Sequence, residues 1–139
     1  MRPFLHHYHS PDGSHSVTVA DNGRVAYAYL YAGDEVINSV WLYNRLPAPD
    51  VGEWQGDASV PGYKAPFLNA AAYVDAERMA EPLKEEGDME TVWEHRSSGA
   101  VHMVHLIVRG THYGVLSPAM EPGWTVAAAK DGPLARRLA

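Results

Sequence analysis

Residues 17 to 44, VTVADNGRVAYAYLYAGDEVINSVWLYN, decide the fold. Runs rich in Val, Tyr and Ile are separated by Asn22–Gly23 and Gly33–Asp34, residues that suit chain reversals, so the stretch is expected to form three antiparallel strands in a meander. A two-residue type I′ turn at Asn22 and Gly23 would set Asp21 opposite Arg24 and Val19 opposite Ala26. A second reversal at Gly33 and Asp34 would set Tyr31 opposite Val36 and Ala26 opposite Trp41. Side chains alternate along a strand. Tyr27, Tyr29 and Tyr31 then share one face, while Ala26, Ala28 and Leu30 share the other with Val17, Val19, Ile37 and Trp41. The second face is the expected core, its alanines leaving room for the indole. The tyrosine row, with Thr18 and Asn38 beside it, is either the half-buried outer face of a sheet or a surface for a small ligand centred on Tyr27 and Tyr29.

Working outward, LHHYHS at 5–10 is expected to be a polar lead-in that joins the sheet edge, with adventitious metal affinity and no dedicated site. Downstream, residues 45–66 carry four prolines and three glycines and form a long loop. Trp54 in that loop, flanked by Glu53 and Asp57, is either an anchor over the sheet or a binding residue. FLNAAAYV, residues 67–74, fits strand and helix equally. From Asp75, Ala76, Met79, Ala80 and Leu83 mark one stripe of an amphipathic helix, kinked or split at Pro82.

Strands return at METVWEHR, AVHMVHLIVR and HYGVLSP, a second meander from Met89 onward. Residues 101–108 are apolar on both faces, as in a strand covered on both sides. Gly132, Pro133 and the arginines at 136 and 137 suit a short C-terminal helix. The expected fold is therefore α+β: a mainly antiparallel sheet of six or more strands from two three-strand meanders, a short helical segment between them, and one domain over residues 1–139.

The chain has 139 residues, 46% of them apolar, and no cysteine, which excludes disulfides, thiolate metal sites and cysteine nucleophiles. No apolar run approaches the roughly 18 residues of a membrane span, so a soluble, cytoplasmic protein is expected. The net charge of -6 is concentrated. Asp75, Glu77, Glu81, Glu85, Glu86, Asp88, Glu90 and Glu94 stand against Arg78 and Lys84, and the rest of the chain balances. Scattered bases give no footprint for a phosphate backbone, so nucleic acid is not an expected partner.

Eight histidines raise the question of zinc. His102 and His105, three apart on a strand, point to opposite faces. His95 and His102 would face each other if the loop after Arg96 held two or four residues, whereas three residues would put Val101 opposite His95. The hairpin through Gly110 and Thr111 would set Arg109 opposite His112 and His105 opposite Leu116, away from that pair. Two ligands fall short of the three that catalytic zinc normally takes. No phosphate loop, nucleophile elbow or paired-carboxylate spacing is present. The expected function is a noncatalytic interaction module without a cofactor, meeting a basic protein partner through the acidic segment 75–94, with Glu77, Glu81, Glu85 and Glu86 as contacts. The alternatives are a metal-assisted enzyme using His95 and His102, and a small-ligand binder on the tyrosine face.

Overall fold

A computed structural model describes residues 3–47, 50 and 70–138. Two sheets are present among them. The first has the order β1 (Phe4–His9), β2 (His15–Asp21), β3 (Val25–Ala32) and β4 (Glu35–Asn44), all antiparallel. The second has the order β5 (Met89–His95), β6 (Val101–Val108), β7 (Thr111–Ser117), β8 (Met120–Thr125) and β9 (Arg136–Arg137), antiparallel except for the parallel β8–β9 pair. The expected single sheet of six or more strands is thus replaced by two sheets. Each meander gains a neighbour: β1 on the first, β8 and β9 on the second.

The α-helical expectations fail. Residues 75–94 contain one helical turn at 76–78, where Met79 N–H donates to Asp75 O at 3.0 Å, and a 3-10 turn at Glu86–Asp88, but no α-helix, and Ala71–Tyr73 is another 3-10 turn. Pro82 has no N–H to continue a helical ladder, and the chain lies across the sheets with Leu83 buried and Met79 and Ala80 half-buried against the core. At the C-terminus, Arg136–Arg137 form β9, with Leu138 N–H donating to Thr125 O at 3.1 Å. Pairing with β8 satisfies backbone groups that a one-turn helix would leave open.

The first hairpin slips by two places from the expected register, with Asp21 opposite Ala26 and Val19 opposite Ala28. Its loop is closed by side chains: Asp21 Oδ1 accepts from Gly23 N–H at 2.8 Å, and Asn22 Oδ1 accepts from the N–H groups of Arg24 and Val25, each at 2.9 Å. A slip of two keeps every side chain on its expected face. Between β3 and β4, Tyr31 pairs with Val36 as expected, but bulges then insert Ile37 and Leu42. Each bulge adds one unpaired residue. Tyr27, not Ala26, therefore faces Trp41, and the indole lies on the tyrosine face.

That face is closed over most of its length: Tyr27 is 2% exposed, Tyr29 6% and Trp41 0%. β3 is the strand buried on both sides, from Val25 to Leu30, whereas β6 alternates buried and half-buried residues, contrary to its sequence pattern. The opposite face of the first sheet carries Val17, Val19, Ala28, Leu30, Val40 and Tyr43 into one cluster with Val104, Leu106 and Leu116 of the second sheet. Each large side chain removed from water here contributes roughly 1.5–3 kcal/mol. The closest approach is at Gly123 of β8. A Cβ there would lie 2.5 Å from Val115 O and 3.1 Å from Val40 Cβ, so no larger residue fits between β7 and β4. Asn38 Nδ2 locks the same corner by donating to Ser117 O at 2.7 Å and Met120 O at 2.6 Å.

Candidate binding surfaces

The acidic segment is a strap, extended beyond the turn at 75–79 and tied down by its backbone. Asp75 N–H donates to Ala127 O at 2.8 Å and Ala80 N–H to the Tyr113 hydroxyl at 3.1 Å. Leu83 N–H donates to the Tyr43 hydroxyl at 3.1 Å, and its side chain is 1% exposed. Tyr43 in turn donates to Asp21 Oδ2 at 2.6 Å, where the buried carboxylate also accepts from Arg45 Nε at 2.7 Å. Burial first, then Asp21, pushes the Tyr43 phenol well above its ordinary range, so it stays protonated. At the far end, Asp88 Oδ2 accepts from the N–H groups of Lys84 and Glu85, at 2.9 and 3.2 Å. Those N–H groups, with Arg109, hold the Asp88 carboxyl below its usual value. Tyr8 donates to Glu86 O at 2.9 Å. With the apolar side chains and these backbone groups turned inward, Glu77, Glu81, Glu85 and Glu86 are all exposed.

The arginine side of the strap is built by the β6–β7 turn. Arg109 adopts φ +47° and Gly110 φ +81°, a two-residue turn at Arg109–Gly110 in place of the expected Gly110–Thr111. The Arg109 guanidinium donates to Glu81 O at 3.0 Å and Pro82 O at 2.9 Å, with Asp88 Oδ2 at 3.5 Å. The adjoining groove of about 270 Å³ also meets Arg78, Thr111 and Tyr113.

Moving that turn changes which histidines meet. Val108 now pairs with Thr111 and Ile107 with His112. Glu94 pairs with Met103 and Val92 with His105. Glu94, His105 and His112 thus lie on one diagonal across β5, β6 and β7, where side chains of this length touch. His105 Nδ1 lies 2.9 Å from His112 Nε2, and His105 Nε2 is hydrogen-bonded to Glu94 Oε2. In the neutral His105 tautomer that donates Nε2–H to Glu94, Nδ1 is the acceptor for His112 Nε2–H. This carboxylate–imidazole–imidazole chain was hidden in the sequence because two residues of register and one bulge separate it from the expected pairing. The expected pair does not form: the bulge between Glu94 and His95 places Val101 opposite His95 and leaves His102 out of register. The three-residue loop Ser97–Gly99 is the cause, closed by Arg96 N–H to Ala100 O at 2.8 Å. Among the described residues, no group of three or more His, Asp or Glu is arranged to hold a metal ion.

Tyr27 and Tyr29, stacked with centroids 6.1 Å apart, are buried and offer no open surface to a ligand. Tyr31, the half-buried end of the row, lines a groove of about 330 Å³ with Leu5, His7, Ser16, Thr18 and Asp34. His7 Nδ1 and Thr18 Oγ1 are 3.0 Å apart there. Trp54 lies outside the described residues. No helix among the described residues is long and apolar enough to cross a membrane. No protein-family model matches this chain, and no significant match was found to a curated protein or a solved structure.

Proposed function

We propose that this chain is a noncatalytic interaction module that meets a basic protein partner through the strap 75–88 and the adjoining outer face of β5. The supporting observation is the division of labour in the strap: its backbone is tied to β4, β7 and the β6–β7 turn, while Glu77, Glu81, Glu85 and Glu86 face solvent. Glu90 and Glu94 extend the same charge along β5. An ordered array in which acids outnumber the exposed Arg78 and Lys84 presents its field without first being ordered by the partner, which favours fast and orientation-selective association.

Charge at a place must be separated from charge in total. A synthetic peptide of alternating lysine and serine serves as the basic probe. Reversal of Glu77, Glu81 and Glu86 to Lys is compared with reversal of the exposed acids Asp34, Glu35 and Glu121, which gives the same net charge. The strap variant is expected to bind the probe at least tenfold more weakly than the control variant at moderate salt. Equal weakening by both variants would reduce the effect to net charge and reject the strap as the docking surface.

A further inference from the structure

His105 and His112 stand on neighbouring strands of the second sheet and meet nitrogen to nitrogen, His105 Nδ1 lying 2.9 Å from His112 Nε2 with the ring centroids 5.0 Å apart. The far side of the His105 ring is held by Glu94 Oε2. Histidines that bind metals are held in this way: one ring N–H is donated to a carboxylate, which leaves the other nitrogen as the lone pair for the ion. The spacing agrees. Two nitrogens that are 2.9 Å apart and each about 2.0–2.1 Å from one cation subtend an angle of about 90° at it, the angle between adjacent ligands in a tetragonal shell. A tetrahedral shell would need them about 3.3 Å apart. The site is open to solvent: His112 is exposed, and the side chains of His105 and Glu94 are 23% and 49% exposed.

We infer that His105 Nδ1 and His112 Nε2 bind a divalent transition-metal ion of tetragonal preference, Cu²⁺ above all, with Glu94 as the carboxylate that orients His105. The His105 tautomer that donates to Glu94 already presents Nδ1 as a lone pair. His112 turns its ring, gives up the Nε2 proton shared with His105 and takes one at Nδ1 from water, so no net proton is released. Water fills the remaining positions, because among the described residues no third protein ligand is arranged to join the pair. Nitrogen-donor sites bind Cu²⁺ most tightly among the first-row divalent ions, and a right angle suits its tetragonal shell better than the tetrahedral shell of Zn²⁺. Charge assists as well. Glu90 lies four residues from Glu94 on the same face of β5, so the ion enters a field of its own counter-charge.

Cu²⁺ broadens the amide signals of residues close to it, so nitrogen–proton NMR locates the site that fills first. Substoichiometric Cu²⁺ is expected to erase the signals of residues 104–106 and 111–113 before any others. The electron paramagnetic resonance spectrum is expected to show a tetragonal ion with two nitrogen donors. His105→Ala combined with His112→Ala is expected to keep those amide signals. Should that double variant fail to fold, His112→Gln at its exposed position is expected to remove one of the two nitrogen donors from the spectrum. Glu94→Gln retains an acceptor for His105 without the charge and is expected to bind Cu²⁺ about tenfold more weakly. Signal loss that begins at His7, His9 and His15 would mean an adventitious ion only, on the N-terminal histidines, and would overturn the proposal. Unchanged Cu²⁺ affinity in Glu94→Gln would overturn it too. No basic peptide enters this experiment, so its outcome is independent of the strap as a docking surface.

Discussion

His6 shows how one residue's orientation becomes a property of the whole chain. It pairs with Val19 on the inward face of β1 and stacks on Phe4 with centroids 4.1 Å apart. Burial lowers its pKa from 6.5, and the acids Glu86, Asp88 and Asp21 oppose this only in part. The folded state therefore prefers neutral His6, while the unfolded chain takes up its proton near 6.5. Stability from this group is present above pH 6.5 and is lost as pH falls from 6.5 towards the lower folded value. Replacing His6 by Gln is expected to flatten the change in urea midpoint between pH 7.5 and 5.5 relative to wild type; an unchanged difference would show that His6 is not protected from protonation. The sequence placed this histidine in a sheet-edge lead-in, but not which histidines of LHHYHS turn inward. That follows from pairing with β2, and nothing local in alternating His and Tyr specifies it.

Among the elements, the β6–β7 turn has the widest consequences. A residue with a side chain at φ +47° is strained, and Arg109 holds that conformation while its guanidinium clamps the strap at Glu81 and Pro82. Arg109→Ala removes the clamp and keeps the strain, whereas Arg109→Gly removes both. The alanine variant is expected to lose about 1–2 kcal/mol in urea denaturation and the glycine variant measurably less. A glycine variant as unstable as the alanine one, or more so, would mean that the backbone conformation is not strained. The sequence misleads here for a physical reason: Arg is seldom found at positive φ, so the expected turn lies one residue late, at Gly110–Thr111. The slip separated His105 from His112 and hid the chain to Glu94. The first hairpin erred by two residues and changed no face, because parity survived. The β3–β4 pair starts in register and still loses Trp41 to the other face, because the one bulge at Ile37 intervenes and reverses the parity. Strands were legible from composition and turn residues; bulges, which respond to packing against the other sheet, were not.

For the molecule as a whole, the loss of the expected helix changes what the acidic segment is. A helix would distribute its glutamates around a cylinder, whereas beyond its first turn the strap is extended, with Leu83 and the backbone N–H groups of Ala80 and Leu83 turned to the protein. The charge excess was legible in the sequence, its anchoring was not, because Tyr43, Tyr113 and Arg109 reach it from elements that are distant along the chain. The two sheets share one core and close on each other at Gly123, so the strap rests on packed structure at both Tyr43 and Tyr113. Titrating the labelled protein with the lysine–serine peptide and mapping backbone amide shifts tests the central claim most directly. The account predicts shifts concentrated at residues 77–86 and along the outer face of β5, fading as salt is raised; shifts centred on Asp34 and Glu35, or spread evenly over all exposed acids, would contradict it.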